Sequence, residues 1–218
     1  MKKVNFKRLA IIAIAVMMSV ATNAQEDSFW KRLNAPSAHS GGVRAGVNLA
    51  NVKMSGNGET FKADMKPGIQ IGVENYFMVE SFGFQFSALF NQQGFTQDNG
   101  IKTTLNLNYL QLPVYAVYKI DVKDAKILLR AGPYVSTLIS GKLKYGSESE
   151  KFNLFTEDSP FHGFDLGAGV GISARFGSFQ ANLDYNFGAA NIIVAESGSS
   201  KMKNTGVAIT LSYIFPKK

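Results

Sequence analysis

The sequence predicts an all-β protein, an eight-stranded antiparallel up-and-down transmembrane β-barrel. Three observations carry this. Hydrophobicity alternates with a period of two over most of residues 41–215. The charges and most in-strand glycines collect on one phase of that alternation, while the other phase is almost purely aliphatic and aromatic. Long polar connections alternate with tight turns, as in a meander whose strands all cross the same layer.

The chain has 218 residues, 45% of them hydrophobic, with 17 Phe, 21 Gly and no Cys. That length suits one domain. The lack of cysteine excludes disulfide frameworks, thiolate metal sites and thiol catalysis. Residues 1–24 begin with Lys2, Lys3, Lys7 and Arg8, continue through an apolar run from Leu9 to Val20, and end in Thr22-Asn23-Ala24. This is the three-part pattern of a secretory signal peptide, expected to be cleaved after Ala24. The apolar run is too short for a span of ~20 residues. The segment holds four bases and no acid, so its removal takes the formal charge from +7 to +3. A nucleic-acid partner, which would draw on basicity, is therefore not expected.

Residues 25–40 read as a periplasmic leader or linker, with Phe29, Trp30 and Leu33 spaced for a short amphipathic turn. Every glycine lies between Gly41 and Gly206, so the folded body is expected over 41–215, followed by a tail at 216–218.

The strands follow in order. Val43, Ala45, Val47 and Leu49 alternate with Arg44, Gly46 and Asn48. Ile69, Ile71 and Val73 alternate with Gln70, Gly72 and Glu74. Phe82, Phe84, Phe86, Ala88 and Phe90 alternate with Gly83, Gln85 and Ser87. Leu105, Leu107 and Tyr109 count with the apolar phase, and both phases turn apolar through residues 110–118. Ile127, Leu129, Ala131 and Val135 alternate with Arg130, Gly132 and Tyr134. The next strand alternates Leu166, Ala168, Val170 and Ile172 with Asp165, Gly167, Gly169, Gly171, Ser173 and Arg175. Phe179, Ala181, Leu183, Tyr185 and Phe187 alternate with Gln180, Asn182, Asp184, Asn186 and Gly188. Val207, Ile209, Leu211, Tyr213 and Phe215 close the set. Residues 79–81, 121–124 and 177–178 are expected to be tight turns; residues 55–66, 96–102, 141–162 and 191–203 are expected to be long loops.

A soluble barrel faces its apolar phase inward. Here the polar phase holds Arg44, Glu74, Arg130, Asp165, Arg175 and Asp184, and a narrow eight-stranded lumen lets such charges pair beside space-making glycines. These six are expected to form a lumen charge network, a filled polar core rather than a solute path, with the apolar phase toward lipid. Tyr76, Phe77, Phe82, Phe176, Phe179, Tyr213 and Phe215 gather at strand ends as an aromatic girdle would.

The stretches GGVRAGVNLANV, NLNYLQLPVYAVYKI, LLRAGPYVSTLISG, FDLGAGVGISARF and GVAITLSYIF, in this order and spacing, resemble the PorT-like, porin-family outer-membrane β-barrel proteins of Bacteroidetes-type bacteria. The resemblance covers about residues 41–215, and the last strand departs from it in that Pro216-Lys217-Lys218 follow Phe215. It implies an outer-membrane location in a Gram-negative cell and no defined activity.

Chemistry is sparse. GAGVG at 167–171 lacks the strand-to-helix context of a nucleotide loop. His162 beside Ser159 and Asp165 lacks the orienting geometry of a nucleophile and base, so a lipid-active rim enzyme is the lesser alternative, with a narrow solute channel as another. Asp98-Asn99-Gly100 and Glu157-Asp158 read as turn and loop rather than cation sites. No catalytic residue, metal or cofactor is expected. Expected partners are outer-membrane lipid and lipopolysaccharide, and a protein bound through loop 141–162, with Lys142, Lys144, Lys151, Tyr145, Phe152 and Phe155, or through leader 25–40.

Overall fold

The computed structural model describes residues 38–56, 59–62, 64–98, 100–153, 162–193 and 201–216. The expected signal peptide, the leader up to residue 37, Ser159 and Glu157-Asp158 lie outside the described residues.

Among the described residues, ten strands form one antiparallel sheet: β1 (His39–Gly56), β2 (Glu59–Lys62), β3 (Lys66–Val79), β4 (Phe82–Asp98), β5 (Lys102–Val122), β6 (Ala125–Tyr145), β7 (Glu148–Asn153), β8 (Phe164–Phe176), β9 (Phe179–Gly188) and β10 (Lys201–Ile214). Eight of them run in the order β1-β3-β4-β5-β6-β8-β9-β10, and pairing of β10 with β1 from Gly42↔Ile214 to Ser55↔Lys201 closes the ring. Closure leaves no unpaired edge among these eight strands. The short β2 and β7 pair only with the upper parts of β1 and β6. Segments 55–66 and 141–162, expected as loops, are therefore partly β-hairpin, because the strands run on well past the membrane layer.

The turns at Glu80-Ser81, Lys123-Asp124 and Gly177-Ser178 lie at the end of the barrel that also holds both ends of the described chain. Each begins on a residue in the left-handed region, Glu80 (φ 56), Lys123 (φ 50) and Gly177 (φ 55). Such turns match the right-handed twist of the hairpins they join.

The facing is polar inward and apolar outward through the middle of the wall. Val43, Val47, Ile71, Val73, Leu129, Val170, Ile172, Leu183, Ile209 and Leu211 are exposed on the outside, Leu211 by 69%. Arg44, Gln70, Glu74, Gln85, Arg130, Asp165, Asn182, Asp184 and Thr210 are buried inside. Phe82, Phe176, Phe179, Tyr213 and Phe215 ring the short-turn end as an exposed girdle.

Two expectations about facing are corrected. Tyr76, placed in the girdle, is fully buried; it is in phase with Glu74 and points into the lumen. Leu105, Leu107 and Tyr109, assigned to lipid, are fully buried and inward. The cause is length. The 21 residues of β5 exceed the roughly 9–11 needed to span the bilayer. Above the membrane the outside meets water, so the facing inverts to that of a soluble barrel. There Val52, Phe95, Leu105, Leu107, Leu138 and Ile192 form an apolar cluster inside, while Lys53 and Lys144 are exposed outside. A second apolar cluster, Tyr76, Val117, Leu128 and Ile214 with Met78, closes the interior toward the short-turn end.

Candidate functional site: the lumen charge network

Between the two apolar clusters lies a layer of polar side chains. Arg44 on β1 forms an ion pair with Asp184 Oδ2 on β9. Arg130 on β6 reaches Asp184 Oδ1 at 2.6 Å and donates to Gln85 Oε1 on β4 at 3.0 Å. Glu74 on β3 lies 3.7 Å from Arg44 Nη1 and accepts from Gln85 Nε2 at 3.1 Å. In the ring order β1 and β6 stand opposite each other, four strands apart in either direction. One carboxylate therefore ties together guanidiniums from opposite walls, and the connection spans the lumen's diameter. All five groups are at least nine-tenths buried.

A run of glycines makes this crossing sterically feasible. Arg130, Gly171 and Asp184 are register partners across β6, β8 and β9. A Cβ on Gly171 would collide with the Asp184 carboxylate and come within 3.0 Å of Arg130 Nη2. The ion pair passes over a residue with no side chain. One level up, Gly132, Gly169 and Asn186 are register partners. The Tyr115 hydroxyl crosses over this pair of glycines to donate to Asn186 Oδ1 at 3.1 Å. The GAGVG string thus lies within β8 as a low track on the inner wall, on which side chains from β5, β6 and β9 rest.

The remaining expected members sit apart from this centre. Arg175 donates from Nε to Gln180 Oε1 at 2.7 Å and lies over the Tyr76 ring at 4.6 Å, near the short-turn end. Gln180 also donates to the Tyr76 hydroxyl at 2.8 Å, joining β9 to β3. Asp165 is fully buried and accepts from Asn204 Nδ2 at 3.0 Å, with no arginine of the set at ion-pair distance among the described residues. Of six charges, four are brought together and two are not. Sequence reasoning missed Gln85, Gln180 and Tyr76 as partners; their signal was the inward phase that they share with Glu74 and Asp184.

The weaker candidates resolve simply. His162 is exposed, whereas Asp165 is buried inside the barrel. Among the described residues no group of three His, Cys, Asp or Glu is arranged to hold a metal ion. Asp98 is exposed, and Gly100 beside it is left-handed (φ 88), as a turn requires.

A closed ring of strands with an apolar outer wall and a polar, ion-paired interior defines a membrane-spanning β-barrel. The chain belongs to the outer membrane protein beta-barrel domain family, whose model matches residues 12–215. It is similar in fold to Neisserial surface protein A, at 12% identity and TM-score 0.44, over 79% of this chain and 97% of that one. It is similar also to Ail, the attachment invasion locus protein of Yersinia pestis, at 12% identity and TM-score 0.41, over 81% and 98% of the two chains. The N-terminal barrel of Pseudomonas aeruginosa OprF aligns at 9% identity and TM-score 0.34, over 80% and 99%. No curated protein matches the chain.

Proposed function

We propose that this outer-membrane barrel is a closed, non-catalytic scaffold of the PorT-like type, exported by a signal peptide cleaved after Ala24 in a Gram-negative bacterium. Its termini and short turns face the periplasm, and its long hairpins act outside the cell as an interaction surface. The observation that carries this is Asp184 joined to Arg44 and Arg130 across the full diameter of the lumen. A solute path through the middle would have to break a buried ion pair, and apolar clusters lie above and below it. The surface free to vary without disturbing the wall is that of the four long loops, and a protein partner would bind through loop 141–162, with Lys142, Lys144 and Lys151 on it, or through the leader over 25–40.

Conductance tests the closed lumen. The folded protein in planar lipid bilayers should pass no steady current at voltages that the bilayer tolerates. Reproducible ion-selective steps that reverse their selectivity with Glu74→Lys would replace the scaffold with a channel.

A further inference from the structure

Toward the long-loop end, the outer faces of β1, β9 and β10 form a groove of about 430 Å³. Its upper margin is basic. Lys53 stands opposite Lys203 across β1 and β10, and opposite Lys62 in the register of β2. Lys201, two residues from Lys203 and therefore on the same face, lies opposite Ser55. Like charges directly opposite one another on a sheet destabilise it. Among the described residues, no carboxylate forms an ion pair with Lys53 or Lys203, and no acid lines the groove.

On the hairpin at the other side of the barrel Lys142 likewise opposes Lys151, while Glu150 and Glu148 stand opposite Leu143 and Tyr145 on the other face of that hairpin. The basic row on β1 and β10 has Glu59 near it, opposite Gly56 in the register of β2, but among the described residues no carboxylate in register with Lys53 or Lys203 themselves. A bound polyanion would offset its repulsion.

Below the lysines the groove carries Asn51 and Thr205, then Tyr185 and Phe187, whose rings are 6.1 Å apart. The Tyr185 hydroxyl lies 3.1 Å from Thr205 Oγ1. Rings with one polar end are placed where a membrane meets water. Further down the same face come Leu183, Ile209, Leu211 and Val47, all exposed outward. Read downward, the face offers cations, amide and hydroxyl groups, aromatic rings and then a hydrocarbon-compatible wall. That is the order of groups along an amphiphile with a phosphorylated sugar head and acyl chains. Several lysines abreast above amide and hydroxyl groups suit more than one phosphate on a sugar, whereas a phospholipid presents a single phosphate.

We propose that this face binds a phosphorylated glycolipid of the outer leaflet, with Lys53 and Lys203 holding its phosphates. The proposal rests on the long hairpins lying at the outer leaflet. Binding in detergent does not depend on whether the lumen conducts, so the two readings can fail separately.

The test uses the folded full-length protein in neutral detergent micelles. Native mass spectrometry follows its titration with diphosphorylated lipid A, with the same glycolipid after dephosphorylation, and with phosphatidylglycerol. The diphosphorylated form should bind about tenfold or more tightly than either of the others. The Lys53→Glu/Lys203→Glu pair, with folding checked by heat-modifiable gel mobility, should lose that preference. Lys142→Glu/Lys151→Glu should keep it. Equal binding of the three lipids by the unaltered protein would overturn the proposal whether or not the variants fold. Equal loss in the two lysine pairs would also overturn it, by showing that general basicity suffices.

Discussion

Replacing Asp184 by Asn should be the most damaging single change among the lumen charges. The two carboxylate oxygens serve two different cations, Oδ2 toward Arg44 and Oδ1 at 2.6 Å from Arg130. An amide keeps one acceptor and turns an N–H₂ toward the second guanidinium. Arg130 would retain Gln85 at 3.0 Å, and Arg44 would retain only Glu74 at 3.7 Å. Two buried positive charges would then share one distant carboxylate. Removing one partner of a buried pair typically costs about 3–5 kcal/mol, and two stranded cations place Asp184→Asn at the upper part of that range. Glu74→Gln removes the longer contact and weakens one bond from Gln85, so about 1–2 kcal/mol is expected. Asp165→Asn strands no cation, because Asp165 meets Asn204 and none of the three arginines; its effect should lie near zero or be stabilising. Urea unfolding in micelles, followed by loss of compact gel mobility, should rank the variants in this order. If Asp165→Asn costs as much as Asp184→Asn, or if Asp184→Asn costs under ~1 kcal/mol, the account of the lumen fails.

Three further outcomes are expected from the same measurement. Arg at Val170 or Leu183, both about half exposed on the outer wall, should cost roughly 2–4 kcal/mol, and a harmless result would invert the facing. Gly171→Ala should cost about as much as Glu74→Gln or more, because the methyl meets both Asp184 and Arg130; combining it with Asp184→Asn should give less than the sum, since both disturb one contact. Lys123→Gly should stabilise the barrel by about 1 kcal/mol, because Lys123 occupies the left-handed region without a side-chain reason to do so.

The alternation exposed the wall and its facing because lipid outside and a narrow interior impose opposite demands on successive residues. It failed where one of those demands changes. At Leu105, Leu107 and Tyr109 the apolar residues are the inward ones, and from Leu110 and Leu112 downward they are the outward ones. The adjacent apolar pair Tyr109-Leu110 marks the level where water gives way to lipid outside, and a reading that carries one apolar phase along the whole strand misses it. Tyr76 failed for another reason: an aromatic near a strand end suits a girdle or a lumen equally, and only its phase with Glu74 decides. The charges were legible as a set, but the pairing was not. Arg44 and Asp184 are 140 residues apart, and they meet because β10 closes between their strands. The glycines at 167, 169 and 171 were legible as space; which rings and ions occupy that space depends on register across three strands.

The polar interior follows from the way such a wall must be encoded. A strand apolar on both faces would string together long apolar runs, and 18 or more consecutive apolar residues read as a membrane helix. Alternation avoids this, and the chain keeps a mean hydropathy of −0.02 although its outer wall is hydrocarbon-like. The inner phase is then free to be polar, but in an eight-stranded ring it is too crowded for bulk water to solvate it. Buried polar groups must therefore find one another, and the strands that hold them are fixed in register by the wall. Glycines on β8 allow long side chains from β5, β6 and β9 to cross at successive levels; arginine spans the remaining distance with several donors. The charge network is in this sense a consequence of encoding a membrane wall by alternation, and its cross-lumen geometry is what the proposed closed lumen rests on.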